Sequence, residues 1–353
     1  MHPFLDKYFQ FIKRVVPSSR QGSFVGLDIA SGACRAVEIT WRKTGFEILR
    51  WKVEPIEGQE EKAALARIIA AWDLRAKPRP IISAVSGRGT LVRYIDMPRM
   101  TIKELRQAFI IEADKYFPFP KDTIRSDCFI LDPNGQDKKM AVLIAAVKRD
   151  IVEARIKLFK ESGLDIETLT VTPIAIANAF AVSSAAVTDA AGQATAIVDI
   201  GGSATGLMIM VNRVPHFNRD IFIGTGEFVK RLGNIAGVPL ADAGKMLQQP
   251  AGKEEIVRQA VETVMANLVA EIRLSFDYFN TEKNLQVTRV VILGEGALIP
   301  GIPKALQDSL GIPVVSWDPC DKLLFAKDAR GEDMRRQGPQ MAAALGLAMN
   351  GYD

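Results

Sequence analysis

The feature that most constrains the fold is the stretch AIVDIGGSATGLMIMV, from Ala196 to Val211. Its first residues are apolar and partly β-branched, as in a buried strand, and this run ends at Asp199. Gly201-Gly202 follows, and both glycines tolerate left-handed backbone. Ser203 and Thr205 come next, before a second apolar strand. This pattern predicts a hairpin whose tip offers N–H groups and hydroxyls to an anion, with the aspartate placed to hold a hydrated divalent cation.

The same plan occurs earlier in the chain. FVGLD, from Phe24 to Asp28, predicts a strand, and ACRAVEIT, from Ala33 to Thr40, predicts its returning partner. A third glycine turn, Gly294-Glu295-Gly296-Ala297, follows an apolar strand at the carboxyl end, where open α/β sheets bind ligands. Two hairpins that face each other would hold the phosphates of a nucleotide from both sides. The third turn would let backbone approach the base closely.

Composition limits the classes of protein to consider. With 353 residues and 38.7 kDa, the chain is long enough for two packed domains. Its 45 basic and 41 acidic residues leave a net charge of +4, which does not mark a nucleic-acid binder. Three scattered cysteines predict reduced thiols in the cytosol, and only two histidines argue against a histidine-based triad or metal site. We find no apolar run of membrane-spanning length and no signal peptide.

Strand-rich blocks alternate with crossover helices, which predicts an α/β fold. Residues 90–166 predict a β-α-β-β-α insert with its own core, in which Thr101 and Glu104 match the capping box of a helix N-terminus. Residues 4–16 carry an apolar helical stripe beside basic residues. That stripe is consistent with a helix docked on its own domain, or with a surface that meets a membrane or partner.

These turns occur in the order found in the actin-like ATPase superfamily, which the chain resembles. Asp28-Ile29-Ala30-Ser31-Gly32 and Asp199-Ile200-Gly201-Gly202-Ser203 are similar to its two phosphate motifs, and Leu293 to Ala297 to its adenosine motif. Within this superfamily the chain resembles the PilM family, the cytoplasmic actin-like proteins of type IV pilus assembly. The segments that carry this resemblance are MPRMTIKELRQAFIIEADKYFPFP (97–120), FNRDIFIGTGEF (217–228), LVAEIRLSFDYF (268–279) and the terminal AAALGLAM.

The resemblance implies an actin-like two-lobed ATPase fold, built from duplicated ribonuclease-H-like domains, with an inserted 1C subdomain of the SHS2 type. An N-terminal amphipathic segment would occupy residues 1–22. Subdomain 1A would comprise residues 23–89, 167–195 and 335–353, and subdomain 1C residues 90–166. Subdomain 2A would comprise residues 196–224 and 286–334, and subdomain 2B residues 225–285.

The family also implies a function. Its members bind ATP with Mg²⁺ between the lobes and capture the N-terminal cytoplasmic peptide of PilN, a membrane-anchored pilus protein, in a groove between subdomains 1A and 1C. Such a scaffold would associate with the cytoplasmic face of the inner membrane through its partners. There it would contact other inner-membrane and motor components that support twitching motility.

Three alternatives share the fold. A FtsA-like division protein would end in an amphipathic membrane helix, and residues 346–353 do not form one. A GspL-like component of type II secretion would continue into a transmembrane helix, which we do not find. A small-molecule kinase, or a chaperone-type ATPase, would be a true enzyme, and a kinase would need a carboxylate base beyond the two motif aspartates.

The resemblance assigns roles to individual residues. Asp28 and Asp199 would orient Mg²⁺ through water, and Arg35 would either reach the phosphates or point to solvent. The other residues expected around the nucleotide are Ser31, Gly32, Gly201, Gly202, Ser203, Thr205, Lys245, Glu271, Gly294, Glu295, Gly296 and Ala297. The candidates for the peptide groove are Leu91, Arg93, Ile95 and Met97, each of which could instead fill the core of the insert.

Two positions depart from the family pattern. Ala30 replaces a glycine of the first phosphate motif. Glu295 replaces one of the adenosine loop, where its carboxylate could meet the ribose hydroxyls or repel phosphate. Asn178 is the polar side chain on the helix expected to position the attacking water, and an amide is not a strong base at neutral pH. We therefore expect ATP to be bound but hydrolysed slowly or not at all.

Overall fold

The computed structural model describes residues 22–350, apart from residues 57, 59, 133–138 and 184–192. The predicted N-terminal amphipathic segment lies outside these residues, except for residue 22. The strands are β1 Ser23–Ile29, β2 Ala33–Arg42, β3 Gly45–Pro55, β4 Ile81–Val85, β5 Thr90–Pro98, β6 Ile124–Asp132, β7 Lys139–Lys148, β8 Thr168–Val171, β9 Gln193–Ile200, β10 Thr205–Val211, β11 Val214–Ile221, β12 Gln286–Leu293, β13 Val314–Ser316 and β14 Leu324–Phe325. The helices are α1 Glu61–Trp72, α2 Ile102–Tyr116, α3 Arg149–Glu161, α4 Thr172–Ser183, α5 Thr225–Ala236, α6 Leu240–Gln248, α7 Glu254–Lys283, α8 Ile302–Leu310 and α9 Gly331–Asn350.

The two larger sheets repeat one arrangement. In the sheet of the first lobe, of order β14-β3-β2-β1-β4-β8, β1 pairs antiparallel with β2 and parallel with β4. In the sheet of the second lobe, of order β11-β10-β9-β12-β13, β9 pairs antiparallel with β10 and parallel with β12. This duplication confirms the predicted α/β, actin-like fold. Strand β14 belongs to the first sheet, although its residues fall within the segment expected in subdomain 2A.

Helices α4 and α9 lie between the two sheets. Their apolar cluster includes Ile82 of the first sheet and Val291 of the second. A Cβ on Gly346 would overlap the carbonyl of Ala175, so glycine is what lets α9 approach α4 this closely. Helices α1 and α3 cover the outer face of the first sheet, and α5 to α8 cover that of the second. The two lobes therefore share one central helical layer.

The predicted insert forms a three-stranded antiparallel sheet of order β5-β7-β6. One face packs against α2, around Leu105 and Ile144. The other face turns toward the first lobe, where Leu143 and Val147 pack with Val171 of β8. The insert therefore has one core of its own and one face shared with the first lobe. Its assignment as a 1C subdomain stays a prediction.

Some local predictions can be compared directly with the structure. The Thr101 backbone N–H donates to the Glu104 carboxylate at 2.7 Å, and the Glu104 N–H donates to the Thr101 hydroxyl at 3.3 Å, so the predicted capping box is confirmed. Cys34, Cys128 and Cys320 are buried free thiols. Among the described residues, we find no helix of the length and apolarity needed to span a membrane.

Candidate functional site

The tips of the two predicted hairpins meet in one cleft between the lobes, with a volume of about 270 Å³. The Ala30 N–H donates to the Ala33 carbonyl at 3.1 Å and closes the first turn, and the Gly201 N–H closes the second by donating to a carbonyl at 3.0 Å. A Cβ on Gly202 would overlap the Ser31 hydroxyl. The two tips therefore touch directly, and a side chain at position 202 would force the Ser31 hydroxyl to move.

The third glycine turn packs against the second. Gly294 has φ +76°, and a Cβ there would lie 2.5 Å from Oδ1 of Asp199. Its N–H donates to the Pro339 carbonyl of α9 at 3.0 Å. Gly296 and Ala297 follow in a short 3-10 turn. The backbone freedom of Gly294 thus brings this loop against both the aspartate and the central helix.

Two buried carboxylates line the cleft, one from each hairpin. Burial raises the pKa of Asp28 above its ordinary value, although the charges of Arg35 and Arg155 oppose this effect. The pKa of Asp199 is raised to about 7, chiefly by burial and then by the charge of Asp28, against the opposing charge of Arg35. Burial therefore destabilises the charged form of both carboxylates, and the charge of Asp28 adds to this effect at Asp199, which is a situation that a bound divalent cation would relieve.

Arg35 lies opposite Asp28 in the β1–β2 register and is only 3% exposed. Its Nη2 donates to Oε1 of Glu295 at 2.6 Å, and its Nε donates to Oε1 of Gln340 at 3.0 Å. Its Nη1 lies 3.5 Å from Oδ2 of Asp28. Of the two orientations considered from the sequence, the guanidinium takes the one into the cleft, where it joins the first lobe to the second.

Glu295, which departs from the family pattern, reaches the first phosphate turn from the second lobe. Besides its ion pair with Arg35, it accepts a hydrogen bond from the Thr225 hydroxyl at 3.3 Å. A Cβ on Gly32 would overlap its carboxylate. From the sequence, we expected the Glu295 carboxylate either to contact ribose or to repel phosphate. Its ion pair with Arg35 across the cleft was not predicted.

The other predicted nucleotide residues differ in their positions. The predicted residues of the first two turns that line the cleft are Ser31, Gly201, Gly202 and Ser203, and those of the third turn are Gly294 and Glu295. Thr205 donates its hydroxyl to a backbone carbonyl after β11 at 2.6 Å, which helps to hold the second hairpin. Lys245 pairs with Asp242 at 3.6 Å, and Glu271 pairs with Arg219 at 2.6 Å, and neither lines the cleft. Their roles at the adenosine stay predictions.

Asp220 and Arg155 also line the cleft, although neither is among the predicted site residues; Asp220 falls within the segment FNRDIFIGTGEF (217–228) that carries the family resemblance. Asp220 is in register with Gly206, which is in register with Asp199, so the three residues form one row across the second sheet. Burial raises the pKa of Asp220, against a hydrogen bond from the Gly87 N–H of the first lobe. Counting the hairpin register outward from the second turn could have identified Asp220. Arg155 comes from α3, far from any motif in sequence, and carries no such signal.

A second cavity, of about 440 Å³, lies between the sheet of the insert and the first lobe. Its lining is mostly apolar and includes Leu143 and Val147 of β7, Ile156 of α3 and Ile174 of α4. These side chains come from both the insert and the first lobe, so the cavity would change if the two moved apart.

Strand alternation decides which residues of β5 reach this cavity. Tyr94 lines it. Leu91, Ile95 and Met97 instead pack in the core beneath α2, and Arg93 is exposed. Successive side chains of a strand point to opposite sides, so the four predicted groove residues, which are two apart in sequence, lie on the face opposite to that of Tyr94.

Asn178 also lines the apolar cavity, and its amide hydrogen-bonds to Asn350. The side chain expected to position an attacking water therefore does not face the cleft between the lobes. Helix α4 presents Thr172 and Ile176 to the cleft instead.

Comparison with known proteins agrees with this fold. A sequence model of the family described as type IV pilus assembly protein PilM matches residues 26–352. The chain belongs to the PilM family. A solved structure described as the PilM-PilN type IV pilus biogenesis complex superposes with a TM-score of 0.82 at 23% identity, covering 94% of this chain and 99% of that chain. The ethanolamine utilization protein EutJ from Carboxydothermus hydrogenoformans gives a TM-score of 0.52 at 15% identity, covering 98% of this chain and 97% of that chain.

Proposed function

We propose that this PilM-family protein binds ATP with Mg²⁺ between its lobes and captures the N-terminal cytoplasmic peptide of PilN in the apolar cavity. The observation that carries the nucleotide site is the convergence of Asp28 and Asp199 on one cleft, each at the end of a hairpin strand beside a turn that carries glycine. The peptide site is supported by the apolar cavity and by the similar solved structure, which is a complex with PilN.

The donor set of the cleft suits a magnesium nucleotide. Asp28 and Asp199 supply the carboxylate oxygens through which proteins hold partly hydrated Mg²⁺. Ser31 and Ser203 offer hydroxyls to phosphate oxygens, and the turns offer backbone N–H groups. When bound, Mg²⁺ with ATP would supply the cation that relieves the repulsion between the two aspartates. Arg35 would reach the phosphates only by releasing its present ion-pair partner, so ATP competes with that carboxylate.

We propose that the nucleotide is held more than it is consumed. A general base must reach the attacking water, and Asn178, the residue expected to position that water, lies in the apolar cavity. Asp220 lines the cleft but already accepts a hydrogen bond from Gly87. Slow turnover would leave ATP to hold the two lobes in one arrangement.

Isothermal titration calorimetry of the full chain with ATP and Mg²⁺ tests the nucleotide site. Asp199→Asn removes a carboxylate from the cation site and should weaken Mg²⁺-dependent ATP binding by about tenfold or more. Asp308→Asn is the matched control, because Asp308 is an exposed residue of α8 paired with Lys304, and it should bind ATP as the wild type does. Absence of ATP binding by the wild-type protein in the presence of Mg²⁺ would contradict the proposal.

Fluorescence anisotropy of a labelled PilN N-terminal peptide tests the apolar cavity. Ile156, at its rim, is 37% exposed, so Ile156→Glu places a charge on the wall with little cost to folding. It should weaken peptide binding by about tenfold or more. Ile111→Glu is the control, because Ile111 is an exposed isoleucine of α2 that does not line the cavity. Equal peptide binding by the two variants would refute the site, and no binding to the wild type would refute the partner.

Peptide capture would also place the protein in the cell. A chain bound to PilN would lie at the cytoplasmic face of the inner membrane, where other pilus and motor components could contact it. Cell fractionation should find it with membranes when PilN is present and released from them when PilN is deleted. Equal membrane association in both strains would mean that another partner recruits it.

A further inference from the structure

Arg155 extends from α3 to the edge of the nucleotide cleft. Its Nη2 donates to the Ile29 carbonyl at 3.1 Å, directly beside the first phosphate turn. It is among the residues that line the cleft, and its charge lowers the pKa of Asp28. A second guanidinium is therefore held at the site where phosphates would bind.

One nitrogen of this guanidinium has no acceptor. Nη1 of Arg155 is buried, and no hydrogen-bond partner for it occurs in the part of the chain that the structure describes. Buried side-chain donors are nearly always paired, and an unpaired donor on a charged group is especially unfavourable. Because the side chain lines the cleft, an oxygen ligand bound there can provide the missing acceptor.

Arg35 and Arg155 differ in this respect. The Arg35 guanidinium already has Glu295, Gln340 and Asp28 around it. Arg155 has its Nη2 fixed by a backbone carbonyl, which orients the planar group and leaves Nη1 for an incoming oxygen. Of the two arginines, Arg155 can therefore bind an anion without first giving up a carboxylate partner.

We infer that Arg155 is a ligand of the nucleotide's phosphate chain, donating from Nη1 to a phosphate oxygen. This inference rests on the proposed ATP site and adds to it a residue supplied by α3. The preferred ligand is a polyphosphate, because a guanidinium recognises phosphate oxygens by charge-assisted hydrogen bonds.

Calorimetric titration of the full chain with Mg²⁺-ATP and with adenosine separates this role from a structural one. Arg155→Gln should weaken ATP binding by roughly 10- to 100-fold, the loss expected for one charge-assisted hydrogen bond, and leave adenosine binding unchanged. Arg155→Lys keeps the charge without the fork, so it should lose less. Lys160→Gln removes an exposed charge from the same helix and should bind ATP as the wild type does.

The outcomes separate two failures. A wild-type protein that binds no ATP overturns the proposed function itself. Normal ATP binding by Arg155→Gln overturns the role of Arg155 while leaving the ATP site intact. Equal weakening of ATP and adenosine binding would show that Arg155 only supports the turn, and it too would overturn the inference. If Arg155→Gln does not fold, as judged by its melting curve, Arg155→Lys decides: ATP binding equal to that of the wild type counts against the inference, and selective weakening supports it.

Discussion

Glu295→Gln tests whether the ion pair across the cleft competes with nucleotide. The substitution removes one negative charge and keeps a side chain of the same size. The glutamine oxygen can still accept the hydrogen bond that Nη2 of Arg35 now donates to Glu295 at 2.6 Å. Any change in stability or binding therefore reports the charge and not a cavity.

The structure sets the size of the effect on stability. Removing one partner of a fully buried ion pair costs about 3–5 kcal/mol. Glu295 is less buried than that, with 23% of its side chain exposed against 4% for Arg35. Arg35 also keeps Asp28 at 3.5 Å, and Glu295 raises the pKa of Asp28 and Asp199, so its removal relieves repulsion. We expect a loss of about 1–2 kcal/mol, seen as a melting temperature lower by roughly 2–4 °C.

The effect on nucleotide should have the opposite sign. A glutamine holds Arg35 less strongly than the Glu295 carboxylate does, so Arg35 can turn to a phosphate more easily, and one charge that repels phosphate is gone. We expect ATP to bind about tenfold more tightly, equivalent to about 1.4 kcal/mol. Calorimetric titration with Mg²⁺-ATP measures this, and thermal denaturation without nucleotide measures the stability.

Glu47→Gln is the matched control, because Glu47 pairs with Arg42 at 2.7 Å on the surface of the first sheet, where Arg42 is 56% exposed. Exposed pairs contribute about 0–1 kcal/mol, so it should change neither quantity much. Weaker or unchanged ATP binding by Glu295→Gln, together with lower stability, would refute the competition. It would leave Glu295 as a residue that only joins the lobes.

Two further predictions concern stability. Folding raises the pKa of Asp199 to about 7, so the folded protein binds a proton on this carboxyl more tightly than the unfolded chain does. The stability that this proton contributes is present at low pH and is lost as the pH rises to about 7. The asparagine of Asp199→Asn is neutral at every pH, so without Mg²⁺ this variant should have a higher melting temperature than the wild type at pH 8 and a similar one near pH 4. An equal difference in melting temperature at both pH values would contradict the raised pKa. Gly346→Ala should lower the free energy of unfolding, measured by urea titration, by about 1–3 kcal/mol, because its Cβ would overlap the Ala175 carbonyl. Gly244→Ala is the control, because its Cβ would lie in open space on α6, and it should raise the free energy of unfolding by up to about 1 kcal/mol. Equal effects of the two variants would contradict the packing explanation.

The fold was predictable because its signals are local and repeated. Each hairpin combines apolar strands with an aspartate and a turn that carries glycine, and the resemblance gave the order of the motifs. Asp28 and Asp199 follow from these motifs, since each ends a strand at the edge of the sheet where its turn lies. Their meeting in one cleft follows from the duplicated sheets packed on a shared helical layer.

The apolar cavity shows why the residues that line it could not be predicted. Strand β5 carries apolar residues on both faces, so alternation separates Leu91, Ile95 and Met97 from Tyr94 without telling which set meets the first lobe. Which set faces the cavity depends on which side of the sheet packs against α2 and which packs against the first lobe. This packing is a long-range property that a short stretch of sequence does not determine.

Arg155 and Glu295 show the same limit at the cleft between the lobes. Arg155, read alone, is a helix arginine that would be assigned to solvent, and the third turn predicts Glu295 near a nucleotide without predicting its ion pair with Arg35. The structure brings Arg155 from α3 to the Ile29 carbonyl beside the first turn, and Glu295 from the second lobe against Gly32 of that turn. The motifs therefore predict which residues lie in the turns, whereas the contacts that Arg155 and Glu295 make across the cleft depend on how elements distant in sequence pack together. For this reason the variants of Arg155 and Glu295 test the assembly of the cleft, which substitutions of the glycines and aspartates within single turns do not isolate.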